Sequence, residues 1–181
     1  MIIAIHQPNF CPWLSFFDKM NKADVFVLMI NAQYEKNGWQ NRCEVWGKYW
    51  TKPVKGGLSM IHEKQYADGG SLREINQLWI LAIAKTLGID TNKIHVDFET
   101  SKKGTDRIVE ICKRFDCDQY LTNPEAMDKY LDEKKMNDNG IEVLHHHFPY
   151  KKHTFEAFND MGIEGTVNLL NKEKELWLTR I

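Results

Sequence analysis

The 181-residue sequence predicts an α/β fold: a single domain (1–181), a mostly parallel sheet flanked by helices in Rossmann-like layering, with an added β-hairpin near 41–54. Three observations carry this. First, the apolar run Ile2 to Ile5, a helix-spaced segment and the apolar run Val25 to Ile30 follow one another within about 30 residues, the length of a parallel βαβ unit. Second, helical and strand patterns keep alternating down the rest of the chain. Third, 43% hydrophobic and 27% charged residues are the composition of a globular protein able to bury a core.

The elements follow in order. Ile2 to Ile5 is a buried strand, read as core rather than as a signal peptide because no basic segment precedes it. His6 to Pro12 is a polar turn containing two prolines. Trp13, Leu14, Phe16, Phe17 and Met20 have helical spacing over Trp13 to Asn21, and Val25 to Ile30 is the second strand. From Arg42 to Thr51, Cys43, Val45, Tyr49 and Thr51 alternate with Glu44, Trp46, Lys48 and Trp50. With Gly47-Lys48 as the turn, this predicts a hairpin that Pro53 ends. Lys55 to Gly70 holds two Gly-Gly pairs and reads as a loop, a candidate lid.

Ser71 to Leu87 is a helix, opened by a Ser71/Glu74 capping box and stopped at Gly88. Its predicted apolar stripe is Leu72, Ile75, Leu78, Trp79, Ala82, Ile83 and Leu87. Ile94 to Phe98 is a strand whose other face, His95, Asp97 and Glu99, reads as exposed and polar. Thr105 to Phe115 is a helix, Tyr120-Leu121 a short strand, and Asn123-Pro124 a helix start with Asn123 as cap. Ile141 to Phe148 reads as a strand and Thr166 to Trp177 as the last helix.

Charge excludes one class of function. With 24 Lys and Arg against 25 Asp and Glu, the chain lacks the basic excess of a protein that binds nucleic acid electrostatically, so no nucleic-acid partner is expected. No apolar run reaches the roughly 18 residues of a membrane span. Cys11, Cys43, Cys112 and Cys117 form no CxxC pair and read as reduced thiols, which suits a cytoplasmic location.

The chemistry concentrates between His6 and Trp13. In open α/β sheets ligands bind at the carboxyl ends of strands, and His6 stands there. His6, Gln7 and Asn9 are the candidate catalytic residues: an imidazole as general base and two amides to orient an acceptor. Trp13 belongs to a Trp-rich N-terminal third and is a candidate pocket wall. Lys19, Lys36, Asn41 and Arg42 are candidate substrate contacts, since three cations could converge on an anionic ligand and Arg grips carboxylate or phosphate in two places. Cys11 reads as a small buried hydrophobe rather than a nucleophile. Ser101 to Arg107 lacks P-loop spacing and reads as a solvated loop. His145-His146-His147 puts at most two imidazoles on one strand face, short of a zinc site, so no metal and no cofactor is expected.

The run Ile3-Ala4-Ile5-His6-Gln7-Pro8-Asn9-Phe10, followed by Pro12-Trp13, Phe16-Phe17, Lys19 and Ala23-Asp24-Val25-Phe26-Val27, resembles the WbqC-like family. Asn41-Arg42, Trp50-Thr51-x-Pro53-Val54, Leu87-Gly88-Ile89 and Arg107-Ile108-x-x-Ile111-Cys112-Lys113 extend the likeness over most of the chain. The resemblance implies a place in bacterial surface-polysaccharide (O-antigen, lipopolysaccharide) biosynthesis. It also implies transfer of an acyl or aminoacyl group, such as glycyl, to an amino-sugar. The expected partners are then an amino-sugar or nucleotide-sugar and an acyl or aminoacyl donor. Two other readings stay open: a nucleotide-binding or nucleotidyl-transferring enzyme, and a non-catalytic module that holds a sugar or a partner protein.

Overall fold

The computed structural model describes residues 1–36, 38–55 and 60–179. Its elements are β1 (Ile2–His6), α1 (Leu14–Lys22), β2 (Val25–Leu28), β3 (Arg42–Val45), β4 (Lys48–Thr51), β5 (Val54–Lys55), β6 (Gln65–Tyr66) and α2 (Leu72–Thr86). There follow β7 (Ile94–Val96), α3 (Gly104–Arg114), β8 (Gln119–Thr122), α4 (Glu125–Lys129), α5 (Glu133–Asp138), β9 (Glu142–His145) and α6 (Thr154–Leu178). Five strands form one parallel sheet in the order β7-β2-β1-β8-β9.

The central strands are apolar on both faces because both faces are covered. Ile2, Ala4, Phe26, Leu28 and Leu121 pack under α1, α2 and α6. The alternate residues Ile3, Ile5, Val25, Val27, Tyr120 and Val143 pack under α3 and α5. That is the period-2 rule applied to a doubly covered sheet. His6 continues the Ile2/Ala4 side, so its ring lands against α1, edge-on to Phe16 at 4.8 Å. The chain runs outward from β1 to β2 and β7, then returns to place β8 on the other side of β1. The carboxyl ends of β1 and β8 therefore flank the point where strand order reverses, the usual ligand crevice of such sheets.

Several expectations are corrected. The hairpin is present, but its turn is Trp46-Gly47, both with positive φ (52° and 69°), and Val45 pairs with Lys48. This one-residue shift reverses the faces. Cys43 lies opposite Trp50, and Tyr49 shares a face with Glu44 and Arg42. In α2 the buried face is Leu72, Asn76, Ile80, Ile83 and Ala84, whereas Leu78 (67% exposed) and Trp79 stand outside. Ser71 Oγ accepts from Glu74 N–H as predicted. The stretch read as a loop after Lys55 contains β6 and buries Ile61, Lys64 and Tyr66; residues 56–59 of the lid reading lie outside the described residues.

Asp97 is buried, not exposed: it pairs with Arg107 and accepts from the N–H groups of Ile30 and Asn31. That ion pair also takes Arg107 out of the solvated loop. Pro124, not Asn123, stands at the N-cap of α4, and no side chain caps it. The last strand ends at His145, and α6 starts twelve residues earlier than expected, with a break at Gly162 (φ 71°). Its start is fixed by a residue the helical pattern does not show: His153 Nδ1 accepts from Phe155 N–H, while the Glu156 carboxylate accepts from His153 N–H at 2.7 Å. The alternating sequence of elements survives these shifts because core burial, not caps, sets it.

Candidate active site at the strand-order reversal

A cavity of about 300 Å³ opens at the carboxyl end of β1, lined by His6, Asn9, Trp13, Ser15, Phe16, Lys19, Trp39 and Asn123. Four predicted site residues, His6, Asn9, Trp13 and Lys19, meet there. His6 ends β1, Asn9 and Trp13 stand on the following turn, Lys19 projects from α1, and Asn123 follows β8.

The turn is held from two sides. Asn76 of α2, fully buried, donates to the carbonyls of Pro8 (2.8 Å) and Gln40 (2.7 Å) and accepts from Tyr66 Oη at 2.6 Å. Phe10 N–H donates to the Trp39 carbonyl at 2.8 Å, and this seats Trp39 over the cavity. On the other side, His153 Nε2 donates to the Cys11 carbonyl (2.5 Å) and Thr154 Oγ1 to the Pro12 carbonyl (2.8 Å). The strap before α6 thus clamps the turn, which lets Cys11 keep its left-handed φ of 44°.

The electrostatics are unusual. Lys19 is 4% exposed, and its ammonium makes no hydrogen bond or ion pair among the described residues. Burial pulls its ammonium down to about 8, with the Glu125 charge acting the other way. His6 falls to about 3, through burial first and the Lys19 charge second. The ring is therefore neutral at ordinary pH. Its Nδ1 lies 3.0 Å from the Gln7 carbonyl, which can only accept, so Nδ1 carries the proton and Nε2 keeps its lone pair.

Behind Asn123 lies a buried relay. His146 Nδ1 is 3.3 Å from Asn123 Oδ1, and its Nε2 is 2.7 Å from Asp18 Oδ2. Lys22 Nζ donates to the same Asp18 oxygen at 2.5 Å. Burial lowers the His146 pKa, and Asp18 opposes the shift. With His146 neutral and its Nε2–H given to Asp18, Nδ1 must accept; the Asn123 amide then turns its NH₂ inward and offers its oxygen to the cavity.

The other candidates stand elsewhere. The Gln7 side chain accepts from Gln40. Asn41 bridges to the Lys52 carbonyl at the base of the hairpin. Lys36 is exposed on a loop. None of these three lines the cavity. Arg42 reaches it indirectly, through Trp39. Cys11 packs with Cys43 and Val45 away from the cavity. His145 and His147 are exposed, while His146 belongs to the relay. The pattern gave no signal for Ser15 or Asn76, marked Trp39 only as one of a Trp-rich N-terminal third, and read Asn123 as a cap and His146 as one of a histidine run. A second, wider hollow of about 520 Å³ lies past β2 and β7, lined by Asn31, Met60, His62, Glu63, Glu99, Thr100 and Ser101. It is more open and lies off the strand-order reversal.

The model of the WbqC-like protein family matches residues 7–56 and 52–161, which takes in β2, β7, β8 and β9 and the cavity residues from Asn9 to Asn123, while His6 and the rest of β1 precede the match. The chain belongs to the WbqC-like protein family. Among curated proteins, the uncharacterized protein Rv1507c of Mycobacterium tuberculosis (strain ATCC 25618 / H37Rv) is 25% identical over 185 residues, covering 78% of this chain and 80% of the relative. No solved structure gives a significant match. Among the described residues no helix is long and apolar enough to cross a membrane. This WbqC-like chain thus carries a cavity lined by His6, Asn9, Lys19 and Asn123 where its sheet topology puts the ligand crevice.

Proposed function

We propose that this WbqC-like protein is a transferase of surface-polysaccharide assembly that moves an acyl or aminoacyl group, such as glycyl, to the amine of an amino-sugar held in the β1/β8 cavity. The observation that carries the reading is Lys19: a buried cation that forms no ion pair among the described residues, beside a neutral imidazole. A buried charge without a partner is unfavourable, so a ligand that brings an anion is favoured there. A sugar phosphate or nucleotide-sugar brings one.

The same charge ties binding to chemistry. Lys19 is the second cause of the low His6 pKa. An anion against Lys19 offsets that charge and raises the imidazole toward the range in which it takes a proton well. His6 Nε2 would then accept the proton of the attacking amine as the new N–C bond forms and the donor's leaving group departs. Asn123, oriented by His146 and Asp18, and Asn9 would hold the amine. Gln7 and Asn41 act on this reading through the loops they brace, and Lys36 has no contact that gives it a part.

The test is thermal stabilisation of wild type, His6→Ala and Lys19→Met by UDP- and dTDP-amino-sugars, ATP, acyl-CoA and glycine. A ligand at about 100 times its Kd adds roughly 2.7 kcal/mol, a rise of about 5–10 °C for a chain of this size. A nucleotide-amino-sugar shift lost in Lys19→Met supports the reading. The strand order, with a histidine loop at its reversal, favours one second reading, a nucleotidyl transferase; a shift with ATP alone would establish it. No shift with any ligand would overturn both and leave the binding module.

A further inference from the structure

Trp39 faces two ways. Toward the cavity it meets Trp13 edge-on, with ring centroids 6.4 Å apart. Toward the hairpin it lies nearly parallel to Tyr49, at 6.4 Å and 23°. The Arg42 guanidinium is 4.9 Å from the Trp39 ring and 5.6 Å from that of Tyr49. Arg42 Nε is buried with no hydrogen-bond partner, and Arg42 forms no ion pair among the described residues. The corrected hairpin register is what puts Arg42 and Tyr49 on one face. Tyr49 is 63% exposed and Trp39 37%.

The row therefore runs from a small cavity to an exposed flat surface with an unanswered cation at its side. About 300 Å³ is at the lower end of small-molecule sites, with room for a sugar-sized ring. Trp39, which lines the cavity and is 37% exposed, offers a surface for whatever extends that ring. Aromatic faces accept the π-face of any nucleobase, and a guanidinium fork matches phosphate. We propose that Trp39, Tyr49 and Arg42 form an outer subsite for the base and phosphate of a nucleotide, so that the cavity's sugar arrives as a nucleotide-linked amino-sugar. This rests on the reading that the cavity holds a sugar, and it names the class of carrier.

Calorimetry with UDP, uridine and glucosamine 1-phosphate on the full chain tests it. Tyr49→Ala and Arg42→Gln are the variants, since neither residue lines the cavity. UDP is expected to bind wild type and to weaken roughly five- to hundredfold in Tyr49→Ala, the range of one base stacked on one aromatic ring. Arg42→Gln should weaken UDP by at least about fivefold and leave uridine unchanged, because only the phosphate contact is lost. Glucosamine 1-phosphate should bind both variants as it binds wild type and lose affinity in Lys19→Met. UDP affinity unchanged in Tyr49→Ala, or no UDP binding to wild type, overturns the subsite. If glucosamine 1-phosphate then still depends on Lys19, the inner-cavity reading stands and only the outer subsite fails.

Discussion

Replacing Lys19 by Met should make the empty protein more stable while removing its ligand. Lys19 is 4% exposed, and its pKa falls from 10.5 to about 8. Each pKa unit is about 1.4 kcal/mol, so the charged form is disfavoured by about 3 kcal/mol in the folded state. Methionine keeps the unbranched shape, one atom shorter, without the charge. The sign follows from proton binding. Below pH 8 the folded and unfolded states are both protonated and the full penalty acts. Between pH 8 and 10.5 the unfolded state holds the proton more tightly, so wild-type stability rises with pH; above 10.5 the penalty is gone. Lys19→Met should therefore exceed wild type by about 1–3 kcal/mol at pH 7, and the gap should close by about pH 10.5. At about 2–4 °C per kcal/mol, that is a Tm gain of several degrees. Urea titration at pH 7, 9 and 10.5 reads it. A variant less stable than wild type at pH 7, or a gap that ignores pH, would refute the uncompensated-cation argument.

Three further outcomes are expected. Asn76→Ala removes three buried hydrogen bonds and leaves the Pro8 carbonyl without its amide donor; at about 1 kcal/mol each it should lose about 3 kcal/mol, and a loss under about 1 kcal/mol would mean that Asn76 does not tie the site loops. Asp18→Asn breaks the Asp18–Lys22 pair, whose side chains are 0% and 1% exposed; denaturation should show a loss of about 3–5 kcal/mol, and near-neutrality would contradict a charged relay. His6 protonates near 3 when folded against 6.5 for its ordinary value, so the unfolded chain takes the proton first and stability falls as pH drops through that interval. His6→Gln should flatten that acid limb; an unchanged slope between pH 6.5 and 4 would place the sensitivity elsewhere.

The parts of the fold that burial dictates were legible in the sequence. Ile2 to Ile5 and Val25 to Leu28 are apolar on both faces, as a covered parallel strand requires, and His6 at the end of such a strand pointed to the candidate cavity. What tertiary contacts decide was not legible. Asn76 sits mid-helix, polar and unremarkable in pattern, yet it is in the core because two loop carbonyls need a donor. Asn123 before a proline looks like a cap, but its amide is taken by His146, a contact 23 residues away in sequence. Asp97 alternates like a surface residue, and Arg107, ten residues on, draws it inside. The hairpin phase failed by one residue because Trp46 adopts a positive φ that only turn geometry reveals. The sequence shows Lys19 only as a charge; that it is buried with no ion pair among the described residues is a fact of three dimensions.

The most direct test of the central claim is an NMR titration of glucosamine 1-phosphate into labelled protein, following backbone amides and the His6 ring. Binding in the β1/β8 cavity predicts shifts at Ser15, Lys19 and Asn123 and a His6 pKa that climbs from about 3 as the anion meets Lys19. Shifts gathered instead around Asn31, His62 and Glu99, with His6 untouched, would contradict it.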